Sequence, residues 1–176
     1  HGALVDIATG AQIGDLQHIA TPNTPSGFLG ALVEIIDTLK SQAEVGAIGI
    51  ATAGVVNSDT GQVLGSTGNL PALREIANLG ELLHGKTGLR VHVENDANAA
   101  AYGEFRAGAA RGTQNAIAIT LGTGVGMGMI VNGRMFRGAH YFAAEGGHIP
   151  LSNRQDRMCT CGKWGCWEAY ASGPGL

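Results

Sequence analysis

The three cysteines and one nearby histidine constrain the fold of this chain more than any other feature of its sequence. They follow the spacing H-x10-C-x-C-x4-C and are His148, Cys159, Cys161 and Cys166. An odd number of cysteines cannot all close into intramolecular disulfides, whereas three thiolates and one imidazole complete the tetrahedral shell of a zinc ion. A site with four protein ligands is closed, so we expect structural zinc rather than a catalytic metal. The alternative is three unrelated reduced cysteines beside a surface histidine.

Composition narrows the class of protein further. The chain has 176 residues, a length that fits about one domain, and 44% of them are apolar and 14% charged, which excludes intrinsic disorder and a charged coiled coil. A formal net charge of −3 argues against a surface built to bind nucleic acid. No apolar stretch reaches the ~18–20 residues of a membrane span, so we expect no membrane partner. The 29 glycines suggest tight turns or close approaches of the backbone to a ligand.

Strand-like runs alternate with amphipathic helices along the chain, and some neighbouring strands are joined by hairpins. The expected strands are 3–7, 13–21, 47–51, 91–93, 116–121 and 127–131. The expected helices are 27–43, one that begins at Pro71 and carries Leu73, Ile76, Leu79 and Leu82, and 97–110. Hairpin turns are expected at 8–11 and at Asn132-Gly133. This pattern predicts an α/β fold with a mixed sheet flanked by helices.

A glycine-rich turn, Leu121-Gly122-Thr123-Gly124-Val125-Gly126, joins two of the expected strands. Backbone N–H groups in such a turn can approach phosphate oxygens and form a small anion-binding concavity. The turn lacks the G-K-[ST] end of a Walker A loop, and a strand rather than a helix follows it, which excludes the Rossmann fingerprint. By itself the pattern fits a plain hairpin as well as a phosphate-binding loop.

Carboxylates mark two further regions as candidate functional sites. Glu94-Asn95-Asp96 stands at a strand end that leads into a helix, where ligands and catalytic groups of open α/β sheets tend to lie, although such a position also favours a helix N-cap. Glu145 and Glu168 flank the cysteine cluster, and Glu145 comes three residues before His148. A metal there would hold one wall of a polar pocket, on which the glutamates accept hydrogen bonds from a polyhydroxylated ligand. The alternative for each glutamate is a solvated surface charge.

Taken together, four motifs resemble those of the ROK family of sugar kinases and related repressors. They are Asn95-Asp96-Ala97-Asn98-Ala99, Leu121-Gly122-Thr123-Gly124-Val125-Gly126, Glu145-Gly146-Gly147-His148 and the run from Cys159 to Glu168. The upstream segment Gly68-Asn69-Leu70-Pro71 extends the match. The resemblance implies the actin-like, ribonuclease-H-like ATPase fold, in which two lobes close over ATP and a sugar.

The resemblance also implies roles for individual residues. Asp96 would be the catalytic base, which takes the proton of the sugar's primary hydroxyl as that oxygen attacks the γ-phosphorus of Mg-ATP. Gly122, Thr123 and Gly124 match the second phosphate loop. His148 would bind zinc through one ring nitrogen and the sugar through the other. The implied sugar ligands are Gly68, Asn69, Asn95, Asp96, Glu145, His148 and Glu168, and the implied cofactors are ATP with Mg2+ and a structural Zn2+.

The resemblance further implies a two-lobed organisation. Residues 1–95 are expected to form the N-terminal lobe without its first strand, and residues 96–176 the start of the C-terminal lobe, with the sugar-pocket wall and the zinc motif. Kinases of the family begin with a strand that carries a D-x-G-G-T phosphate loop, which would lie just upstream. We therefore expect a fragment that has no kinase activity when expressed alone. Ala144 stands where a glycine is usual before the pocket glutamate.

The function expected from these features is ATP-dependent phosphorylation of a hexose, glucose above all, at its primary hydroxyl. The alternatives are a sugar-responsive transcriptional repressor of the same family, a kinase for N-acetylglucosamine, N-acetylmannosamine or fructose, and a zinc-stabilised sugar-binding module. The glycine-rich turn and Asp96 favour a kinase, because a pure sensor needs no phosphate loop. Thiolate ligands indicate a reducing compartment and hence the cytoplasm. We expect the full-length protein to be a homo-oligomer, a dimer.

Overall fold

Parallel and antiparallel strand pairs both occur in the fold, which a computed structural model describes for residues 1–65, 68 and 70–176. In these residues the strands form four small sheets, of which one is parallel. Contacts divide the chain into two compact units, His1–Asn95 and Asp96–Leu176. The predicted α/β class is confirmed, although the two kinds of pairing lie in separate sheets. Short turns connect the antiparallel pairs, whereas a parallel pair needs a long crossover connection.

The first unit contains the parallel pair and a large apolar core. Its elements are β1 (Gly2–Val5), β2 (Gln12–Gln17), α1 (Pro25–Lys40), β3 (Ala47–Thr52), β4 (Val55–Asn57), β5 (Gln62–Gly65), a 3-10 helix (Pro71–Glu75), α2 (Leu79–Thr87) and β6 (Arg90–Asn95). Strands β3 and β6 pair in parallel along their whole length, while β1–β2 and β4–β5 are antiparallel. The buried core consists of Ile36, Ile48, Val56, Val63, Leu73, Ile76, Leu79, Leu83 and Val93.

The single helix predicted from Pro71 onward is wrong, because the chain forms two helices there. Ile76 has extended backbone angles, φ −90° and ψ 106°, which end the first of them. Asn78 then starts α2, where its side-chain oxygen accepts a hydrogen bond from the Glu81 N–H at 3.1 Å. Apolar residues on both sides of the break enter the same core, so the apolar period continues across an interruption that the N-cap imposes.

The second unit places a helix whose buried residues are small, Ala97, Asn98 and Ala101, against an antiparallel sheet. Its elements are α3 (Asp96–Ala107), β7 (Ala116–Leu121), β8 (Val125–Val131), β9 (Arg134–Met135), two 3-10 helices (Gly146–His148 and Gly173–Gly175) and α4 (Trp167–Ala171). Helix α3 lies so close to β8 that a Cβ added at Gly126 would stand 2.8 Å from the Ala97 Cβ, and one at Gly128 would stand 2.5 Å from the Ala101 Cβ. Gly126 therefore permits helix packing and is not part of the turn that precedes β8.

Other boundaries differ from the predicted ones by a few residues. Helix α1 starts before residue 27 because Thr24 caps it, its hydroxyl accepting a hydrogen bond from the Gly27 N–H at 3.3 Å. The predicted hairpins at 8–11 and at Asn132-Gly133 are both present. Among the described residues, no helix combines the length and the apolar character that crossing a membrane requires.

Candidate functional site

A glycine-containing 3-10 turn in the second unit carries Glu145 and His148. Gly146 and Gly147 are buried between them, and the His148 Nε2 lies 3.8 Å from the Glu145 Oε2. Ala144, immediately before the turn, has a φ of 64°, in the left-handed region that favours glycine. Ala144, which stands where the resemblance implies a glycine, therefore adopts a strained backbone conformation.

The three cysteines lie in a tight loop of residues 158–166, which we call the knuckle. A β-bridge joins Met158 to Trp164 across the loop. Gly165 has a φ of 76°, and a Cβ at this residue would collide with the Ser152 carbonyl oxygen. Only glycine fits immediately before Cys166.

The four predicted metal ligands converge, since their ligand atoms all lie within 4.8 Å of one another. The His148 Nδ1 is 3.5 Å from the Cys159 Sγ, and the Sγ atoms of Cys161 and Cys166 are 3.8 Å apart. Tetrahedral zinc with bonds of about 2.3 Å to sulfur and about 2.0–2.1 Å to nitrogen separates its ligands by about 3.8 Å for two sulfurs and about 3.6 Å for sulfur and nitrogen. The donor set and its spacing therefore fit zinc, with Nδ1 as the histidine ligand and Nε2 directed toward Glu145.

Burial works against ionisation of two of the thiols. It raises the pKa of Cys159 to about 12, and it is also the main cause of the raised pKa of Cys166. Both thiols therefore keep their protons at neutral pH until a metal ion displaces them. Metal affinity at such a site rises with pH, because binding releases protons.

Glu168, in α4, has both of its carboxylate oxygens engaged. Oε1 accepts hydrogen bonds from the Thr160 hydroxyl at 2.7 Å and from the Cys159 thiol at 3.3 Å. Oε2 accepts a hydrogen bond from the Val125 N–H at 3.1 Å. Burial raises the pKa of this carboxyl, but the three hydrogen bonds and the nearby His148 outweigh burial and leave the pKa lowered. An ionised Glu168 thus joins the knuckle to the first residue of β8.

Glu145 shares an electrostatic environment with the other predicted site residues of the second unit. Burial is the main cause of its raised pKa, the charges of Asp96 and Glu168 raise the pKa further, and His148 opposes them. Glu145, His148 and Glu168 form a polar cluster beside the knuckle, because His148 lies next to Glu145 and Cys159 contacts both His148 and Glu168. Carboxylates accept hydrogen bonds, and sugar hydroxyls can donate them, so this cluster can bind a polyhydroxylated ligand.

Asp96 opens α3 with an exposed side chain. Its Oδ1 accepts a hydrogen bond from the Ala97 N–H at 2.9 Å. The helix N-terminus favours negative charge at this position. A carboxylate here can therefore stabilise α3 and can also accept a proton from a ligand.

Three of the predicted sugar ligands belong to the first unit. Asn95 ends β6, and its Nδ2 donates a hydrogen bond to the Gly54 carbonyl at 3.0 Å. Gly68 is exposed. Asn69 lies outside the described residues.

The glycine-rich turn between β7 and β8 consists of Gly122, Thr123 and Gly124, which is shorter than the predicted turn because Leu121 ends β7 and Val125 begins β8. The Gly122 N–H donates a hydrogen bond to the Gly124 carbonyl at 3.0 Å, and the Gly122 carbonyl accepts one from the Gly173 N–H at 2.7 Å. The segment that follows α4 is therefore hydrogen-bonded to the start of the turn. Thr123 is exposed at its tip.

Thr160 is the residue of this site that reasoning from sequence missed. It lies between two predicted metal ligands, and it contacts Glu168 eight positions further along the chain. A hydroxyl residue in that place has many roles, and no local pattern marks it as the partner of a distant carboxylate. Only the folded knuckle brings the two side chains together.

Comparison with known proteins assigns the chain to a class. A model of the ROK family matches residues 3–176. A glucokinase of Streptomyces coelicolor is 41% identical over 158 residues, which cover 90% of this chain and 49% of that protein. A xylose repressor of Bacillus subtilis is 33% identical over 177 residues, which cover 98% of this chain and 44% of that protein.

A solved structure agrees with this assignment. It is described as a ROK family glucokinase from Streptomyces griseus in complex with glucose and AMPPNP, and it matches with a TM-score of 0.84 and 38% identity over 98% of this chain and 54% of its own. The fold is therefore the α/β fold of the actin-like ATPases. Within that class, the chain belongs to the ROK family. It spans about half the length of the relatives that it matches.

Proposed function

We propose that the full-length protein is an ATP-dependent hexose kinase that phosphorylates the primary hydroxyl of its sugar, with glucose as the leading substrate. The observation that carries this proposal is the group of Glu145, His148 and Glu168 side chains beside the knuckle, which belongs to the same unit as Asp96 and the glycine-rich turn. Similarity to a glucokinase and to a glucokinase structure described with glucose and AMPPNP supports it.

In this proposal Asp96 is the catalytic base. Its carboxylate takes the proton of the primary hydroxyl while that oxygen attacks the γ-phosphorus of ATP, and ADP leaves. Phosphoryl transfer depends mainly on alignment and charge neutralisation, and a positioned base contributes about 10²–10⁴-fold. Mg2+ bound with the nucleotide would neutralise charge on the phosphate oxygens.

The remaining residues bind and orient the two substrates. Glu145, Glu168 and the Nε2 of His148 would contact sugar hydroxyls, together with Asn95, Gly68 and Asn69. The backbone of Gly122, Thr123 and Gly124 would contact phosphate oxygens. A structural zinc held by His148, Cys159, Cys161 and Cys166 would keep the Nε2 of His148 directed at the sugar.

We also propose the lobe organisation, the cellular compartment and the oligomeric state of the full-length protein. The two units would correspond to the N-terminal lobe, residues 1–95, and the start of the C-terminal lobe, residues 96–176. Thiolate metal ligands require a reducing compartment, which favours the cytoplasm. The dimer expected for the full-length protein stays a prediction that sedimentation would test.

Replacement of the base tests the kinase directly. In the full-length protein, Asp96→Asn should lower the rate of ATP-dependent phosphorylation by about 10²–10⁴-fold while sugar binding is retained. A coupled assay across glucose, mannose, fructose, N-acetylglucosamine and N-acetylmannosamine measures the rate and identifies the sugar. The matched control is Asp37→Asn, which removes an exposed carboxylate from α1 and should leave the rate unchanged. Near-normal turnover in Asp96→Asn would contradict the role of the base.

A sugar-responsive repressor is the second candidate, because a xylose repressor is similar over nearly the whole chain. The two functions differ in their use of ATP. A repressor binds its sugar, changes its affinity for DNA and consumes no nucleotide, whereas a kinase releases ADP in proportion to sugar phosphate. Sugar-dependent DNA binding without ADP release would favour the repressor.

A further inference from the structure

The segment around α4 holds the glycine-rich turn at both of its ends. At one end, the Glu168 Oε2 accepts a hydrogen bond from the Val125 N–H at 3.1 Å. At the other, the Gly173 N–H donates to the Gly122 carbonyl at 2.7 Å. The carboxylate also lies directly beside the turn, since a Cβ added at Gly124 would stand 2.5 Å from Oε2. The Glu168 carboxylate therefore holds the turn at its Val125 end.

Glu168 is itself oriented by the knuckle. Its Oε1 accepts hydrogen bonds from the Cys159 thiol and from the Thr160 hydroxyl, and the second is the shorter, at 2.7 Å. The Thr160 hydroxyl is exposed and does not belong to the set of possible metal ligands, so it is the donor of this pair that a substitution can remove without changing a ligand.

We infer that Thr160 is a positioning residue for phosphoryl transfer: its hydroxyl orients Glu168 so that the second carboxylate oxygen fixes the Val125 N–H and, through it, the phosphate-binding turn. The kinetic part of this inference rests on the proposed kinase activity, whereas the structural part does not. Thr160 is exposed, so its hydrogen bond can be removed without opening a cavity in the interior.

The test compares Thr160→Val with Thr160→Ser in the full-length protein. Valine keeps the shape of threonine and removes the donor, whereas serine restores the donor. We expect the Val125 amide, followed by NMR hydrogen exchange, to exchange about tenfold faster in Thr160→Val and at the original rate in Thr160→Ser. With ATP as the varied substrate, kcat/KM should fall about tenfold in the valine variant only. Zinc content should be the same in both variants.

Two controls make the result specific. Thr113→Val removes another threonine hydroxyl of the second unit, one that donates to the Ala110 carbonyl at 2.8 Å in the loop between α3 and β7, and it should change neither measurement. Thr160→Ala is a second way to remove the donor if the valine variant does not fold.

Each outcome decides between the inference and the proposed function. Unchanged exchange at Val125 in Thr160→Val would overturn the inference, and so would loss of zinc from that variant, because the effect would then pass through the metal. If the unmodified protein phosphorylates no sugar, the proposed function fails. The exchange measurement then decides the structural part of the inference by itself.

Discussion

The two units of the chain are stabilised in different ways. The first unit buries nine apolar side chains in one core, and Leu79 and Leu83 are completely enclosed. The second unit buries mainly alanines, cysteines and glycines, and its contacts are close backbone approaches and hydrogen bonds around the knuckle. The site of the proposed function is therefore built mostly where specific contacts, rather than apolar burial, stabilise the structure.

Removal of the metal should change the difference in stability between the two units more than any other treatment. We expect about one zinc per chain in the purified full-length protein. Structural zinc contributes about 10–16 kcal/mol to the folding of zinc-finger peptides, so a chelator should abolish amide protection in the knuckle and α4 while α1 and α2 keep theirs. Hydrogen exchange with mass spectrometry measures both regions at once, and added zinc should restore protection. Equal loss in both units, or no zinc in the untreated protein, would contradict the comparison.

A shortened side chain in the apolar core should destabilise the first unit and leave the metal site of the second unit intact. Leu83→Ala removes a completely buried side chain of α2 and should lower the free energy of unfolding of the first unit by about 2–5 kcal/mol, measured by urea denaturation. The neighbouring Leu82 is 41% exposed, and Leu82→Ala should change it by no more than about 0.5 kcal/mol. Zinc content should stay the same in both variants. Equal losses for the two would mean that core burial does not distinguish these positions.

A single added methyl group has the smallest expected effect and tests the second unit. A Cβ at Gly147 would collide with the Val125 carbonyl oxygen, so Gly147→Ala should destabilise the second unit by about 1–3 kcal/mol. Gly103 is an exposed residue of α3, and a Cβ added there would have no neighbouring atom within 4 Å. Gly103→Ala should therefore stabilise the protein by about 0.5–1 kcal/mol. Thermal unfolding measures both. A stabilising Gly147→Ala would show that the close approach does not limit this region.

The sequence predicted those features that depend on neighbouring residues. The hairpin at Asn132-Gly133, strand β7 and the ligand spacing of the knuckle each depend on a short stretch of chain, and the structure contains all of them. The prediction of a single helix after Pro71 failed for the same reason, because the apolar period continues across the break that Asn78 imposes. Gly126 was assigned to the turn because it follows two turn glycines, but its neighbour is Ala97 on another element.

By itself, the sequence determined the family, the α/β class and the identity of the four residues that the fold brings together as possible metal ligands. These follow from which residue types stand at which spacing, a property of the chain before it folds. The tertiary structure alone decided that Nδ1 of His148 faces the cysteines and that Glu168 connects Thr160 to Val125. Such contacts join residues distant in sequence, and hydrogen bonds depend on distances and directions that only the packed chain defines.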